Sequence, residues 1–231
     1  MITFFMFVRD PDNTKEDSSK VSTHPSFLSG LFRDLKVLTA QPLFWQITLI
    51  SGLSFGTFLG VVIIWGIKLL VFKGFDPTTA SNINSTLTLG FGIGTLGVHV
   101  IADQLRRFKL TSIIFLLCAV IALLLLTLTN EISTAFAYAI FLSTGFFLGV
   151  SALCYTMTTR FCEKAISGTA FGFLTCMSFV IAALLMPIPA KLIEIFDLSL
   201  TVAALVFPAA LLIALCLAFI KKETYTMTPA T

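Results

Sequence analysis

Gly92-Ile93-Gly94-Thr95-Leu96-Gly97 has the spacing G-x-G-x-x-G, which between a strand and a helix would let backbone amides approach a dinucleotide pyrophosphate. No strand precedes it, no ribose-binding acid follows in the right context, and it lies inside a long charge-free run, so close helix packing explains it better. Gly90 and Gly94 also form a small-x-x-x-small pair, a spacing that lets helix backbones approach. The same spacing recurs at Gly52, Gly56 and Gly60, at Gly145 and Gly149, and at Gly168 and Gly172. Catalytic groups are sparse. The two histidines are His24 and His99, and there is no H-E-x-x-H, no G-x-S-x-G and no pair of acids in the apolar runs, which argues against an enzyme. His99 reads as an interfacial residue rather than a proton relay. The five cysteines, Cys118, Cys154, Cys162, Cys176 and Cys216, are odd in number and form no C-x-x-C. They read as small packing residues, and neither a metal nor another cofactor is implied. Asn84-Ser85-Thr86 fits a glycosylation sequon but borders an apolar run.

Two stripes carry a different chemistry. At about 100° per residue, Ser51, Ser54, Phe58 and Trp65 gather on the side of their helix opposite Gly52, Gly56 and Gly60. Thr144, Ser151, Tyr155 and Thr158 share a face away from Gly145 and Gly149. A helix with one packing face and one polar-aromatic face can line a cavity. Ser51, Ser54, Phe58, Trp65, Ser151 and Tyr155 are therefore the candidate substrate contacts. The plainer alternative is that these hydroxyls bond their own helix backbone or a neighbouring helix.

The elements that must hold these stripes follow from composition. Of 231 residues, 57% are hydrophobic and 12% charged, against about 45–50% and about 25% in soluble domains. Six stretches lack Asp, Glu, Lys and Arg: Leu43–Ile67, Pro77–Ala102, Leu110–Asn130, Ile132–Thr159, Ala165–Ala190 and Leu198–Ile220. Each is long enough to cross a bilayer as a helix of roughly 20 residues, so the expected fold is an all-α membrane protein with six transmembrane helices. The second stretch is the most polar, opening with Thr78, Thr79, Ser81, Asn82, Asn84, Ser85 and Thr86. With alternating spans, twelve of the fifteen basic residues fall on one side, leaving Lys68, Lys73 and Lys191 on the other. The positive-inside rule then places both termini in the cytoplasm, and the expected setting is the bacterial inner (plasma) membrane. Residues 1–8 read as the stump of a preceding helix and residues 9–41 as a cytoplasmic linker with a short amphipathic helix over Phe27–Leu38. Residues 42–221 form the six-helix domain and 222–231 a cytoplasmic tail. The net charge of +3 is scattered over short loops and gives nucleic-acid binding no support.

Between the second and third stretches, His99-Val-Ile-Ala102-Asp103-Gln104-Leu-Arg106-Arg107-Phe-Lys109 resembles a decayed second copy of the major facilitator superfamily motif G-x-L-A-D-R-x-G-R-R. Ala102, Asp103 and Arg107 match. His99 and Arg106 stand in place of the two glycines, and Gln104 and Phe108 in place of two basic residues. Ser167-Gly168-Thr-Ala-Phe-Gly172, followed by Pro187-Ile-Pro189-Ala-Lys191, is similar to the family's eleventh helix. With Phe44-Trp45 and Lys73-Gly74-Phe-Asp76, the resemblance runs from Arg9 over nearly the whole chain.

The resemblance implies the C-terminal six-helix half of a permease or symporter, built as two three-helix repeats. Its implied partners are a small-molecule solute, the lipid bilayer and an N-terminal six-helix half. In the family the first and fourth helices of such a half lie near the pore and the third and sixth lie at the periphery. Asp103, Arg106 and Arg107 would form a gating loop, with Asp103 facing the partner half. Trp65-Gly66 is similar to permeases for sugar phosphates and other organic anions. A scaffold or truncated protein without transport of its own is the competing expectation.

Overall fold

The computed structural model describes residues 27–129, 132–162 and 166–220. The expected stump, residues 9–26 of the linker, His24, Lys221, Lys222 and the tail lie outside the described residues. Every element among those described is helical. Helix α1 (Phe27–Thr39) precedes α2 (Pro42–Gly60), a π-helical turn (Val61–Trp65) and α3 (Gly66–Phe72). Then come α4 (Pro77–Leu105), α5 (Phe108–Leu128), α6 (Thr134–Leu148), α7 (Val150–Phe161), α8 (Ser167–Leu185), α9 (Ile188–Phe196), α10 (Leu200–Ala204) and α11 (Val206–Ile220).

Read through their kinks, these helices make six candidate membrane spans: Pro42–Phe72, Pro77–Leu105, Phe108–Leu128, Thr134–Arg160, Ser167–Phe196 and Leu200–Ile220. The polar second stretch is a continuous helix, and the first and fifth spans run on past the charge-free windows to include Lys68, Lys191 and Glu194. Lys68 is accommodated by laying its ammonium 5.0 Å from the Trp65 ring centroid. Two of the breaks have a plain local cause. Pro187 cannot donate to the ladder of α8, and Gly149, between α6 and α7, lies against the Gly94 and Thr95 backbone.

Packing reveals an internal symmetry. The first span packs mainly on the fifth, the second on the fourth and the third on the sixth. Renumbering each span by three exchanges the first two pairings and returns the third, as expected of two interlocked three-helix repeats. The glycines set the distances. A methyl group at Gly90 would collide with the Leu142 carbonyl, at Gly94 with the Phe146 backbone, and at Gly145 with the Leu87 carbonyl. A methyl group at Gly52 would press on the end of the Ile181 side chain and at Gly60 on the Phe207 ring, and at Gly56 it would crowd the Ala182 backbone of α8. Gly168 and Gly172 depart from that pattern: nothing lies within 4 Å of either, so the α8 pair packs on no helix of this bundle.

The most apolar stretches of the second and fifth spans are only 28% and 22% buried, against 50% or more in the other four. The third span turns Leu110, Ile114, Leu117, Ile121, Leu125 and Leu128 outward at helical spacing, an aliphatic stripe suited to lipid. At the basic end, α1 is tied to α2 by a 2.9 Å hydrogen bond from Trp45 Nε1 to the Thr39 carbonyl. Its Leu38 is buried with Phe44, Cys162 and Ala170, at the same ends of the first, fourth and fifth spans. Burial pushes the Cys162 thiol up to about 11, so it packs as an inert thiol. None of the five cysteines forms a disulfide among the described residues.

Candidate functional site

The hydroxyls of the two stripes divide by what they bond. Ser54, Thr144 and Thr158 donate to the carbonyls of Ile50, Ile140 and Cys154, each one turn back on its own helix, at 2.7, 2.6 and 2.8 Å. They satisfy themselves locally. Ser51 and Tyr155 reach across to α8 instead. Ser51 Oγ lies 3.3 Å from Ser178 Oγ, and Tyr155 Oη lies 3.1 Å from Thr175 Oγ1. Thr175 and Ser178 are one turn apart, so α8 collects a residue from each stripe on adjacent steps. Ser151, one turn before Tyr155, is buried.

The stripes therefore do not face each other across an open space. Ser51 and Gly52 both meet α8, because one packing face of the first span is wide enough to take residues about 100° apart. Thr175 and Ser178 were not singled out from sequence, although their i, i+3 spacing in an otherwise apolar span carries the same polar-stripe signal. Buried hydroxyls of Thr48 and Thr57, on the same helix as Ser51, have no partner among the described residues.

Phe58 leads to a larger assembly. Its ring stacks on Phe91 of α4, with centroids 3.9 Å apart and planes at 16°. Phe55 sits 6.3 Å from Phe91 and 5.3 Å, edge-on, from Phe179 of α8. Phe179 itself is 54% exposed. The first span is the floor of a trough, and the less buried second and fifth spans are its walls. At about 1.5 Å per residue, Phe55, Phe91 and Phe179 lie about 18–21 Å along their helices from the basic end, near the middle of a core about 30 Å thick. Beside Phe91, the face of α4 that presents Ser81, Ser85, Thr88 and Gly92 is exposed.

Trp65 sits apart from this trough, in the half of the first span away from the basic end. It is buried, and its indole donates to the Met186 carbonyl at 3.0 Å, where α8 breaks before Pro187. Beside it, the π-helical turn closes with Gly66 N–H on the Val61 carbonyl, and Asn84 Nδ2 donates to the Val62 carbonyl at 2.7 Å. Asn84 is thus a buried clamp on the first span, and the sequon reading fails because its amide is enclosed and occupied.

His99 joins the second span to the fourth, with Nδ1 2.7 Å from the Thr95 carbonyl and Nε2 2.8 Å from Thr156 Oγ1. Asp103, Arg106 and Arg107 stand together on an exposed turn at the basic end. Among the described residues none of the three forms an ion pair with another, and no hydrogen bond joins Asp103 to the start of α8. Arg106 takes the left-handed conformation, φ 51°, that ends α4. At the opposite end Asp76 caps α4 by accepting from the amides of Thr78 and Thr79 at 3.1 and 3.0 Å. No group of three or more potential metal ligands occurs among the described residues.

Comparison with solved structures finds the fold elsewhere. The crystal structure of a bacterial homolog to the human lysosomal transporter Spinster, inward-facing and unoccupied, superposes with a TM-score of 0.51 at 15% identity. The match covers 95% of this chain and 54% of that one, so the chain spans about half the length of that transporter, and at this identity the likeness is one of fold. No curated protein matches the sequence. The family profile described as Major Facilitator Superfamily matches residues 1–187, more than half of the chain. With six membrane-length helices in symmetric three-helix repeats, this chain belongs to the Major Facilitator Superfamily.

Proposed function

We propose that this chain is one six-helix bundle of a solute carrier and that it works by alternating access against a second, N-terminal six-helix bundle. The observation that carries this reading is the unpartnered side of the second and fifth spans. There α4 exposes Ser81, Ser85 and Thr88, and α8 exposes Gly168 and Gly172 with nothing packed on them. Ser85 bonds its own helix at the Ser81 carbonyl, but the Ser81 and Thr88 hydroxyls would find no partner in hydrocarbon, and small residues admit a close helix, so a protein bundle fits this side better than lipid. Solute is held at the midplane between the bundles. Ser51, Ser54, Phe58, Ser151 and Tyr155 build or support that site, and Trp65 ties the outer halves of the first and fifth spans. Asp103, Arg106 and Arg107 face the partner bundle at the cytoplasmic end. The setting is the bacterial inner membrane with both termini cytoplasmic.

The test is uptake by proteoliposomes containing the chain alone and the chain joined to an N-terminal bundle. Saturable uptake by the joined protein only is the expected result. Uptake by the chain alone would replace the two-bundle reading with a homodimer, and uptake by neither would leave a scaffold.

A further inference from the structure

We infer that the part of the solute this bundle holds is uncharged and flat, an aromatic or comparably planar apolar group seated on Phe55, Phe91 and Phe179. This rests on the transport reading above and narrows it to a substrate class. Three observations carry it.

The trough is aromatic at its centre. Phe55 touches a ring on each wall, Phe91 at 6.3 Å and Phe179 at 5.3 Å, and the Phe58–Phe91 stack at 3.9 Å fixes the Phe91 plane from behind. Phe179 leaves more than half its surface free, which offers a planar ligand a face or edge to pack on.

The Lys and Arg of the trough's spans among the described residues, Lys191 past Pro187 of the fifth included, lie towards the span ends. Among the described residues, Lys68 lies at the outer end against Trp65, and Lys73 Nζ donates to the Thr129 carbonyl at 2.5 Å, beyond the end of α5. Arg106 and Arg107 end the second span at the opposite side. A phosphate or carboxylate resting on Phe55 would be stripped of water with no opposite charge from this bundle to replace it. That disfavours the sugar-phosphate class implied by Trp65-Gly66. Trp65 itself is buried and committed to Met186.

Finally, lipid is a poor occupant. At about 100° per residue, Ser81, Ser85, Thr88 and Gly92 fall between the α2-facing side of α4, marked by Phe91, and its apolar outer side, marked by Leu89, Ile93 and Leu96. Ser85 donates to the Ser81 carbonyl at 2.9 Å, but acyl chains would meet the Thr88 hydroxyl, one turn from Phe91, without bonding it, whereas a planar solute with a hydroxyl or amide at its edge would satisfy it.

The experiment places a tryptophan reporter at Phe179→Trp, and separately at Leu212→Trp on the lipid-facing side of α11, in the full chain held in phosphatidylcholine nanodiscs. Two matched quenchers are titrated, p-nitrobenzyl alcohol and its charged counterpart p-nitrobenzoate, with emission read relative to the parent chain. The expected result is saturable loss of emission with the alcohol at position 179 only, linear loss at 212, and no saturation with the benzoate. Phe91→Ala should raise the half-saturating concentration roughly two- to tenfold, the worth of one aromatic contact. Should Phe179→Trp not fold, Phe55→Trp reports on the same floor.

Linear quenching at both positions would mean partition into lipid and overturn the inference. Saturation by the benzoate at an equal or lower concentration would overturn the uncharged class. Failure of the transport reading looks different, since saturable quenching would then persist while the joined two-bundle protein took up nothing. Uptake of glucose 6-phosphate without saturable quenching would sink the substrate class and leave transport standing.

Discussion

Arg106 sits at φ 51°, where a side chain crowds the following carbonyl, at a cost of about 1–2 kcal/mol. The family motif carries glycine at this position, and the structure supplies the reason: α4 ends in a left-handed residue, which glycine adopts without strain. Arg106→Gly should therefore raise stability by about 1 kcal/mol, read as a higher unfolding midpoint in detergent. A fall in that midpoint would show that the Arg106 side chain stabilises the turn. Asp76, at the other end of the same helix, links stability to pH. Hydrogen bonding, first from the Thr79 side chain and then from the backbone amides of Thr79 and Thr78, holds its carboxyl below the ordinary value. A depressed folded-state pKa means that the cap's contribution is present above about pH 4 and is lost as the pH falls through the folded value. Amide exchange at Thr78, Thr79 and Ala80 should accelerate over that window. Asp76→Asn, which keeps a capping oxygen without the titration, should flatten the response.

At the scale of elements, the glycines separate into two classes that sequence spacing alone presents as one. Gly94 is in contact with the Phe146 backbone and Gly172 with nothing, although both sit in small-x-x-x-small pairs. Gly94→Ala should cost about 1–3 kcal/mol by forcing α4 and α6 apart. Gly172→Ala should gain up to about 1 kcal/mol in the isolated chain through helix propensity. Opposite signs in one denaturation assay are the expected outcome, and equal signs would contradict the packing described. The π-helical turn depends on a side chain from another span. Asn84→Ala removes a donor from the Val62 carbonyl, should cost about 1–3 kcal/mol, and should loosen exchange protection around Val61–Gly66 rather than along the whole bundle. Gly66→Ala should be worse, because its methyl group would strike both the Asn84 side-chain oxygen and the Val61 carbonyl.

For the whole molecule, the unequal burial of the spans says where the second bundle proposed above should dock. Gly172→Phe should leave folding of this chain intact, since nothing packs there, yet abolish co-purification with an N-terminal bundle. Retained association would place the interface elsewhere. Hydrophobicity and charge determined the six helices but not the ends of the first and fifth, which run on past Lys68 and Lys191, because a bilayer demands long apolar helices whatever they pack against. Close packing at Gly52, Gly90, Gly94, Gly145 and Gly149 was equally legible, since a missing side chain permits approach in any partner's presence. Which hydroxyls serve a shared site was not. Ser54 and Ser51 are the same residue type on the same stripe, yet one bonds its own helix and the other bonds Ser178, 127 positions away. Phe55, Phe91 and Phe179 came together in the same manner, as did Trp65 with Met186. The periodicity of one helix fixes only the direction a side chain takes from its own axis, and what it meets there is decided by how the two repeats interlock.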